Sequence, residues 1–259
     1  MKLRLGVRGM MWLTLVIMMW GIISCRTQEE KCLEEVLSLP LANKEELQKV
    51  LDHYKDDSLK YQAVCFLIRN MPFHAGYEGN ALKHYYQYFD IYAQGKLGPH
   101  EVIDSLKENS FSVSQLKRIE DIANIDSSLL VQNVDWAFKV WREQPWGKNV
   151  SFDNFCEFVL PYRLGDEPLG FWREDIYKRY NSILDSIRLL PQAQDPLVAA
   201  KVLMDSLVVE QSHFTGLFPA GPHLGPSVVS WRAGSCREFA DLVVYVMRAL
   251  GIPCGTDYM

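Results

Sequence analysis

Cys236 is the residue in this chain best placed to do chemistry. It stands in the run Trp231-Arg232-Ala233-Gly234-Ser235-Cys236-Arg237-Glu238-Phe239-Ala240. Gly234 supplies a turn there, and Ser235 has Glu238 three residues on, the spacing of a capping box. The pattern therefore sets Cys236 in the first turn of a helix. Unsatisfied backbone N–H groups and the positive end of the helix dipole favour negative charge at that point, and Arg237 adds a cation beside it. A sulfur so placed is suited to attack a carbonyl carbon, which is the chemistry of covalent acyl transfer. Trp231 and Ser235 flank it as candidate oxyanion or substrate contacts. None of the cysteines shows the C-x-x-C spacing of a zinc or redox site, so no metal and no cofactor are expected.

The elements that must hold this cysteine can be read outward from it. The helix runs to about Leu250 with Phe239, Ala240, Val243, Val244, Met247 and Leu250 as its apolar stripe, then meets Gly251 as a C-cap and Pro253 as a stop. A strand through Cys254 to Tyr258 should follow, and the helix needs a sheet to cover its apolar side. Ahead of Cys236, Gly216, Pro219, Gly221, Pro222, Gly225 and Pro226 punctuate a long loop in which no helix persists. From Glu29 to about Glu210 the periodicity is helical. Asn43 with Glu46 reads as a capping pair, Ser58 as a second cap, and Tyr77–Tyr92, Pro99–Lys107, Asp126–Trp141, Phe152–Leu160, Trp172–Leu190 and Pro196–Glu210 as further helices. Trp136, Phe138, Trp141 and Trp146 lie at spacings that suit core filling better than a sugar platform. The fold class on this reading is mainly α.

Two stretches carry a family resemblance. Gly234, Cys236, Phe239 and Ala240 opening a helix, with Arg248, Leu250, Gly251, Ile252 and Pro253 closing it, resemble the transglutaminase-like superfamily. A weaker match lies upstream, where Phe155 and Phe158-Val159-Leu160-Pro161-Tyr162-Arg163, then Glu167-Pro168 and Trp172-Arg173, resemble a segment of Bacteroidota transglutaminase-like proteins. Arg163 and Arg173 are there candidates for a ligand carboxylate or for buried pairing with Asp166, Glu167 or Asp175. The resemblance implies an α+β core in the complete protein. It also implies a histidine base on the strand after the nucleophile helix and an acidic partner beyond it. The 23 residues after Cys236 hold no histidine, and Asp257 aligns with no triad acid. The stretch is thus expected to be the front part of such a domain, lacking most of its sheet and inactive alone. His213 and His223 precede the cysteine and are read as ordinary loop histidines.

The first residues are different in kind. Lys2, Arg4 and Arg8 precede an apolar run from Met10 to Ile23, too short for a comfortable membrane span, which reads as a signal peptide over residues 1–24. Its end, Ile22-Ile23-Ser24-Cys25, resembles the lipobox of bacterial lipoproteins. That makes Cys25 the lipidated residue and implies a lipid anchor to the outer membrane, on its periplasmic or cell-surface side. Without Lys2, Arg4 and Arg8 the 27 basic residues fall to 24 against 32 acidic ones, a formal charge of −8 that argues against nucleic acid as a partner. Residues 25–150 are read as an N-terminal helical region and 151–259 as the front of the transglutaminase-like domain. The substrate is expected to be a peptide or protein, glycan-linked or not. The competing function is a non-catalytic lipoprotein that binds a glycan or peptide.

Overall fold

A computed structural model describes residues 28–108, 112–209, 214 and 221–256. The signal-peptide and lipidation assignments, including Cys25, fall outside these residues, as do His213, Glu210 and the segment 257–259. The described chain is mainly helical. In order it forms α1 (Gln28–Leu37), α2 (Lys44–His53), α3 (Ser58–Asn70), β1 (Ala75–Glu78), α4 (Asn80–Ala93), α5 (Pro99–Glu108), β2 (Lys117–Glu120), α6 (Asp121–Asn124) and α7 (Ser127–Glu143). There follow α8 (Phe152–Phe158), α9 (Arg173–Tyr180), α10 (Pro196–Val208), α11 (Val228–Trp231) and α12 (Cys236–Ala249). No helix among the described residues is long and apolar enough to cross a membrane.

Several helices start where a short polar side chain can take up a free backbone N–H. Asp126 accepts from Ser128 N at 2.7 Å, Asp195 from Leu197 N at 2.9 Å and Ser151 from Asn154 N at 3.2 Å. Two expected caps move. Asp57 rather than Ser58 caps α3, accepting from Lys60 N at 3.1 Å. Asn43 flanks α2 without a side-chain cap, and Glu46 reaches across to accept the N–H of Ser127 at 2.8 Å, so it caps α7 instead. A carboxylate three residues into a helix can serve any helix start within its reach, and here the tertiary neighbour wins.

Three further boundaries differ from expectation. Tyr77 lies in β1, not in a helix, because Ala75–Glu78 pairs antiparallel with the distant Lys117–Glu120, with Ala75 opposite Glu120 and Glu78 opposite Lys117. A partner remote in sequence leaves no trace in local periodicity. The expected helix Trp172–Leu190 closes at Tyr180 and continues as a 3-10 turn over Asn181–Leu184. Residues 252–256 form no strand: the backbone N–H of Cys254 donates to the Phe158 carbonyl at 3.3 Å, but a ladder needs a neighbouring strand, and none is present among the described residues.

Two apolar cores result, interleaved along the chain. Residues of 33–71 and 122–162 build one, and residues of 82–116 and 172–252, with Trp146, build the other. Trp146 is fully buried and donates its indole N–H to the Leu250 carbonyl at 2.9 Å, tying the turn after α7 to the end of α12. Phe138 is buried too, while Trp141 stacks on Phe155 at 4.4 Å and Trp136 lies against Tyr177. These aromatics fill layers, as large rings with a single polar edge do when that edge finds a carbonyl.

The segment from Phe155 to Arg173 is where the second core meets the first. Arg173 is buried and donates to Asn133 Oδ1 at 2.6 Å and to the carbonyls of Val159 (2.6 Å), Leu160 (3.0 Å), Pro161 (3.0 Å) and Arg248 (3.1 Å). It holds backbone, not a carboxylate. Arg163 Nη1 lies 3.0 Å from Asp121 Oδ1, and its Nη2 donates to the Glu167 carbonyl at 2.5 Å. The Trp172 indole gives its N–H to the Tyr162 carbonyl, and the Tyr162 hydroxyl donates to Asp121 Oδ2. The chain from Pro161 onward is extended and has no ladder, so its carbonyls require side-chain donors, and buried arginines with their forked N–H groups supply several from one residue.

Candidate functional site

Helix α12 carries Cys236 at its first position. Gly234 enters with φ +136°, a conformation an L residue resists, and lets the chain turn directly into the cap. Ser235 Oγ accepts the N–H of Arg237 at 3.3 Å, while Glu238 accepts the backbone N–H of Ser235 at 2.7 Å and its hydroxyl at 2.5 Å. The capping box is therefore formed, and the Ser235 hydroxyl is committed to it. Cys236 itself is exposed.

The sulfur-bearing turn opens on a groove of about 590 Å³ lined by Met204, by Arg237, Phe239, Ala240, Asp241, Val243 and Val244 of α12, and by Cys254 to Thr256. Its lining is mostly apolar, and among the described residues that line it there is no histidine. The stripe read from the sequence divides: Val244, Met247 and Leu250 are buried, whereas Phe239, Ala240 and Val243 are half-buried and line the groove. The buried face also carries polar residues: Glu238, Asp241, Tyr245 and Arg248 are buried beside Leu242, Val244, Val246, Met247 and Ala249. The buried Asp241 and Arg248 of this face meet partners from other segments of the chain.

Those partners form a polar layer under the nucleophile turn. Tyr245 donates its hydroxyl to Glu167 Oε1 at 2.5 Å, and Glu167 also takes the N–H groups of Leu164 and Gly165 at 2.7 and 2.8 Å. Burial opposes charge on Glu167, but these donors and Arg163 outweigh it and hold its carboxyl below the usual range. Arg248 donates to the carbonyls of Arg163 at 3.1 Å and of Phe158 and Cys254 at 3.2 Å. Arg237 pairs with Glu238 at 2.5 Å and donates to the Gly221 carbonyl at 2.8 Å. The upstream resemblance segment is therefore the platform on which α12 sits.

His223 belongs to this layer. Its Nδ1 lies 2.8 Å from Asp241 Oδ2, its backbone N–H donates to Asp166 Oδ1 at 2.7 Å, and its carbonyl accepts from the Tyr86 hydroxyl at 3.1 Å. The Cδ2–Nε2 edge of the ring packs on Gly165, where an added Cβ would come within 2.4–2.6 Å of it. Far from an ordinary exposed loop histidine, it pins the loop onto α12. Burial opposes its charge, and the hydrogen bond and charge of Asp241 overcome this, so His223 titrates above the usual imidazole range. Asp241 is raised by burial against the pull of His223.

Trp231, expected to contact substrate or oxyanion, points elsewhere. It stacks on Phe89 at 5.6 Å, lies beside Tyr86 and gives its indole N–H to Asp90 of α4, and it does not line the Cys236 groove. The left-handed Arg232 (φ 48°) that ends α11 turns Trp231 and Cys236 apart. Of the other cysteines, Cys65 and Cys156 are buried, and Cys32 and Cys254 are half-buried. Burial pushes the Cys156 thiol up to about 12 and raises that of Cys254. Among the described residues no group of three or more His, Cys, Asp or Glu is arranged to hold a metal ion. Comparison of the chain with protein-family models, with curated proteins and with solved structures finds no match in any of the three.

Proposed function

We propose that this chain is the nucleophile-bearing part of an extracytoplasmic, lipid-anchored protein of the transglutaminase-like kind, which uses Cys236 for acyl transfer or hydrolysis of peptide-like amides. The observation that carries this reading is the place of Cys236: exposed, at the first position of a capped helix, and at the edge of a groove. In the reaction the ionised sulfur adds to the amide carbonyl carbon and the C–N bond breaks. The amine departs with a proton, and water or a second amine then takes the acyl group from the thioester. The family resemblance places the base for these proton transfers after α12. His223 is engaged with Asp241 and Gly165 and is not assigned that role. The α+β core belongs to this proposal as well, since α12 presents an apolar groove beside residues 254–256.

The nucleophile is tested by brief treatment of the folded protein with iodoacetamide and peptide mass mapping. Cys236 should be modified at least ~10-fold faster than Cys65, Cys156 or Cys254, because it is exposed while those thiols are buried or half-buried. An activated ester such as p-nitrophenyl acetate should leave an acetyl thioester on Cys236 that the Cys236→Ser variant lacks. Equal modification of buried and exposed cysteines, or undiminished acetylation in the variant, would refute the assignment. For the anchor, Cys25→Ala should abolish incorporation of an alkynyl palmitate during growth; retained incorporation would rule out Cys25 as the site.

A further inference from the structure

Away from Cys236, a cavity of about 760 Å³ lies between α3 and α8, with α1 at one end. Its size is that of a ligand site for a small molecule or a few linked rings. From α3 it takes Gln62, Phe66 and Arg69, which recur at helical spacing beside the buried face of that helix. From α8 it takes Phe152, Glu157 and Phe158.

The chemistry of this lining is mixed in a particular way. Phe158 is 39% exposed, and Phe66 and Phe152 are half-buried, packed against the core on one side and bordering the cavity on the other, so three aromatic rings line one cavity. Phe152 is backed by Trp141 at 6.0 Å and stacks with Phe155 at 6.2 Å, which fixes its plane. Between the rings stand an amide, a guanidinium and a carboxylate, planar groups that each engage two neighbouring hydrogen-bonding atoms. Aromatic faces attract the slightly positive C–H edges of a ligand. A molecule that offers flat C–H faces and, at its rim, adjacent hydroxyls that both donate and accept is a sugar ring.

Charge and backbone narrow the class. Glu157 and Asp153 outnumber Arg69 in the lining, which disfavours an anionic sugar. The lining residues all belong to helices, so the cleft offers no strand edge to pair with an extended peptide. We propose that the cleft between α3 and α8 is a binding site for a neutral oligosaccharide, with Phe66, Phe152 and Phe158 as stacking faces and Gln62, Arg69 and Glu157 as hydroxyl partners. The site does not depend on the chemistry of Cys236.

Isothermal titration calorimetry of the full chain with cellotetraose, xylotetraose and maltotetraose, beside tetragalacturonate and tetra-alanine, tests this. At least one neutral tetrasaccharide should bind, and Phe158→Ala and Gln62→Ala should each weaken it by ~10-fold, about 1.4 kcal/mol. Both side chains are exposed, so thermal unfolding of these variants should match that of the parent; Glu157→Gln gives a third, nearly isosteric check. Cys236→Ser should leave binding unchanged. Failure of every neutral tetrasaccharide to bind at ~10 mM, a constant beyond the useful range of specific recognition, would overturn the proposal. So would binding that all three cleft variants leave intact, or preferential binding of the acidic saccharide or the peptide.

Discussion

Replacing Arg173 by methionine should destabilise the protein by on the order of 5 kcal/mol and leave much of the chain unfolded at physiological temperature. The buried guanidinium donates to Asn133 Oδ1 and to the carbonyls of Val159, Leu160, Pro161 and Arg248; the Leu160 carbonyl keeps the Asn133 amide and the Arg248 carbonyl keeps the Gly251 N–H, so its loss orphans Asn133 Oδ1 and the Val159 and Pro161 carbonyls. Each buried acceptor left without a donor costs about 1–3 kcal/mol, against a total stability of about 5–15 kcal/mol for a typical domain. Methionine keeps the length and apolar stem of the side chain, which isolates the hydrogen bonds from the packing. Urea unfolding followed by circular dichroism measures the change. A loss below about 1 kcal/mol would mean that water or relaxed backbone replaces these contacts, and Arg173 would not be the pin that joins α12 to the crossing.

Removal of His223 should be the second large loss. Asp241 is buried, its Oδ2 meets His223 Nδ1, and its Oδ1 has no hydrogen-bond partner, so His223→Leu leaves a buried carboxylate without its counter-group. Breaking one side of such a pair costs about 3–5 kcal/mol, whereas replacing both members by apolar residues is often close to neutral. His223→Leu should therefore fall near ~3 kcal/mol, and the double variant His223→Leu/Asp241→Leu should regain a large share of it. Additive losses in the double variant would show that the two side chains act independently.

The same pair sets a pH dependence. Both folded pKa values lie above their ordinary ones, so the native state binds protons that the unfolded chain has released. The contribution of His223 is fully present below about pH 6.5, the unfolded imidazole value, and is lost as pH rises through the higher folded value. Glu167 and Glu238 are shifted downward, and they act in the opposite sense, losing stability only as pH falls below the usual carboxylate range. Melting temperature should thus decline from neutral pH upward, and the decline should flatten in the double variant. An unchanged alkaline decline in that variant would assign it to other groups.

Several particulars show what could be read from residue order and what could not. The helical period between Asp126 and Trp141, the turn at Gly234 and the Ser235–Glu238 box all depend on residues within one helical turn of each other, and all stand in the structure. Placing Cys236 at a helix start needed nothing more distant. Tyr77, by contrast, is in a strand because of Lys117–Glu120, and Glu46 caps the helix that begins at Ser127. The burial of Asp241 and Arg248 on α12 is likewise set from a distance, by His223 for the one and by Arg163 and Phe158 for the other.

Sequence alone thus determined that the chain is mainly helical and that a cysteine opens a capped helix, because both are settled by backbone hydrogen bonds and side chains a few residues apart. Only the tertiary structure decided what that helix rests on, where His223 and Trp231 point, and that a cleft opens between α3 and α8. Those outcomes rest on contacts between residues far apart in the chain, where the requirement to pair every buried charge and carbonyl outweighs any local preference.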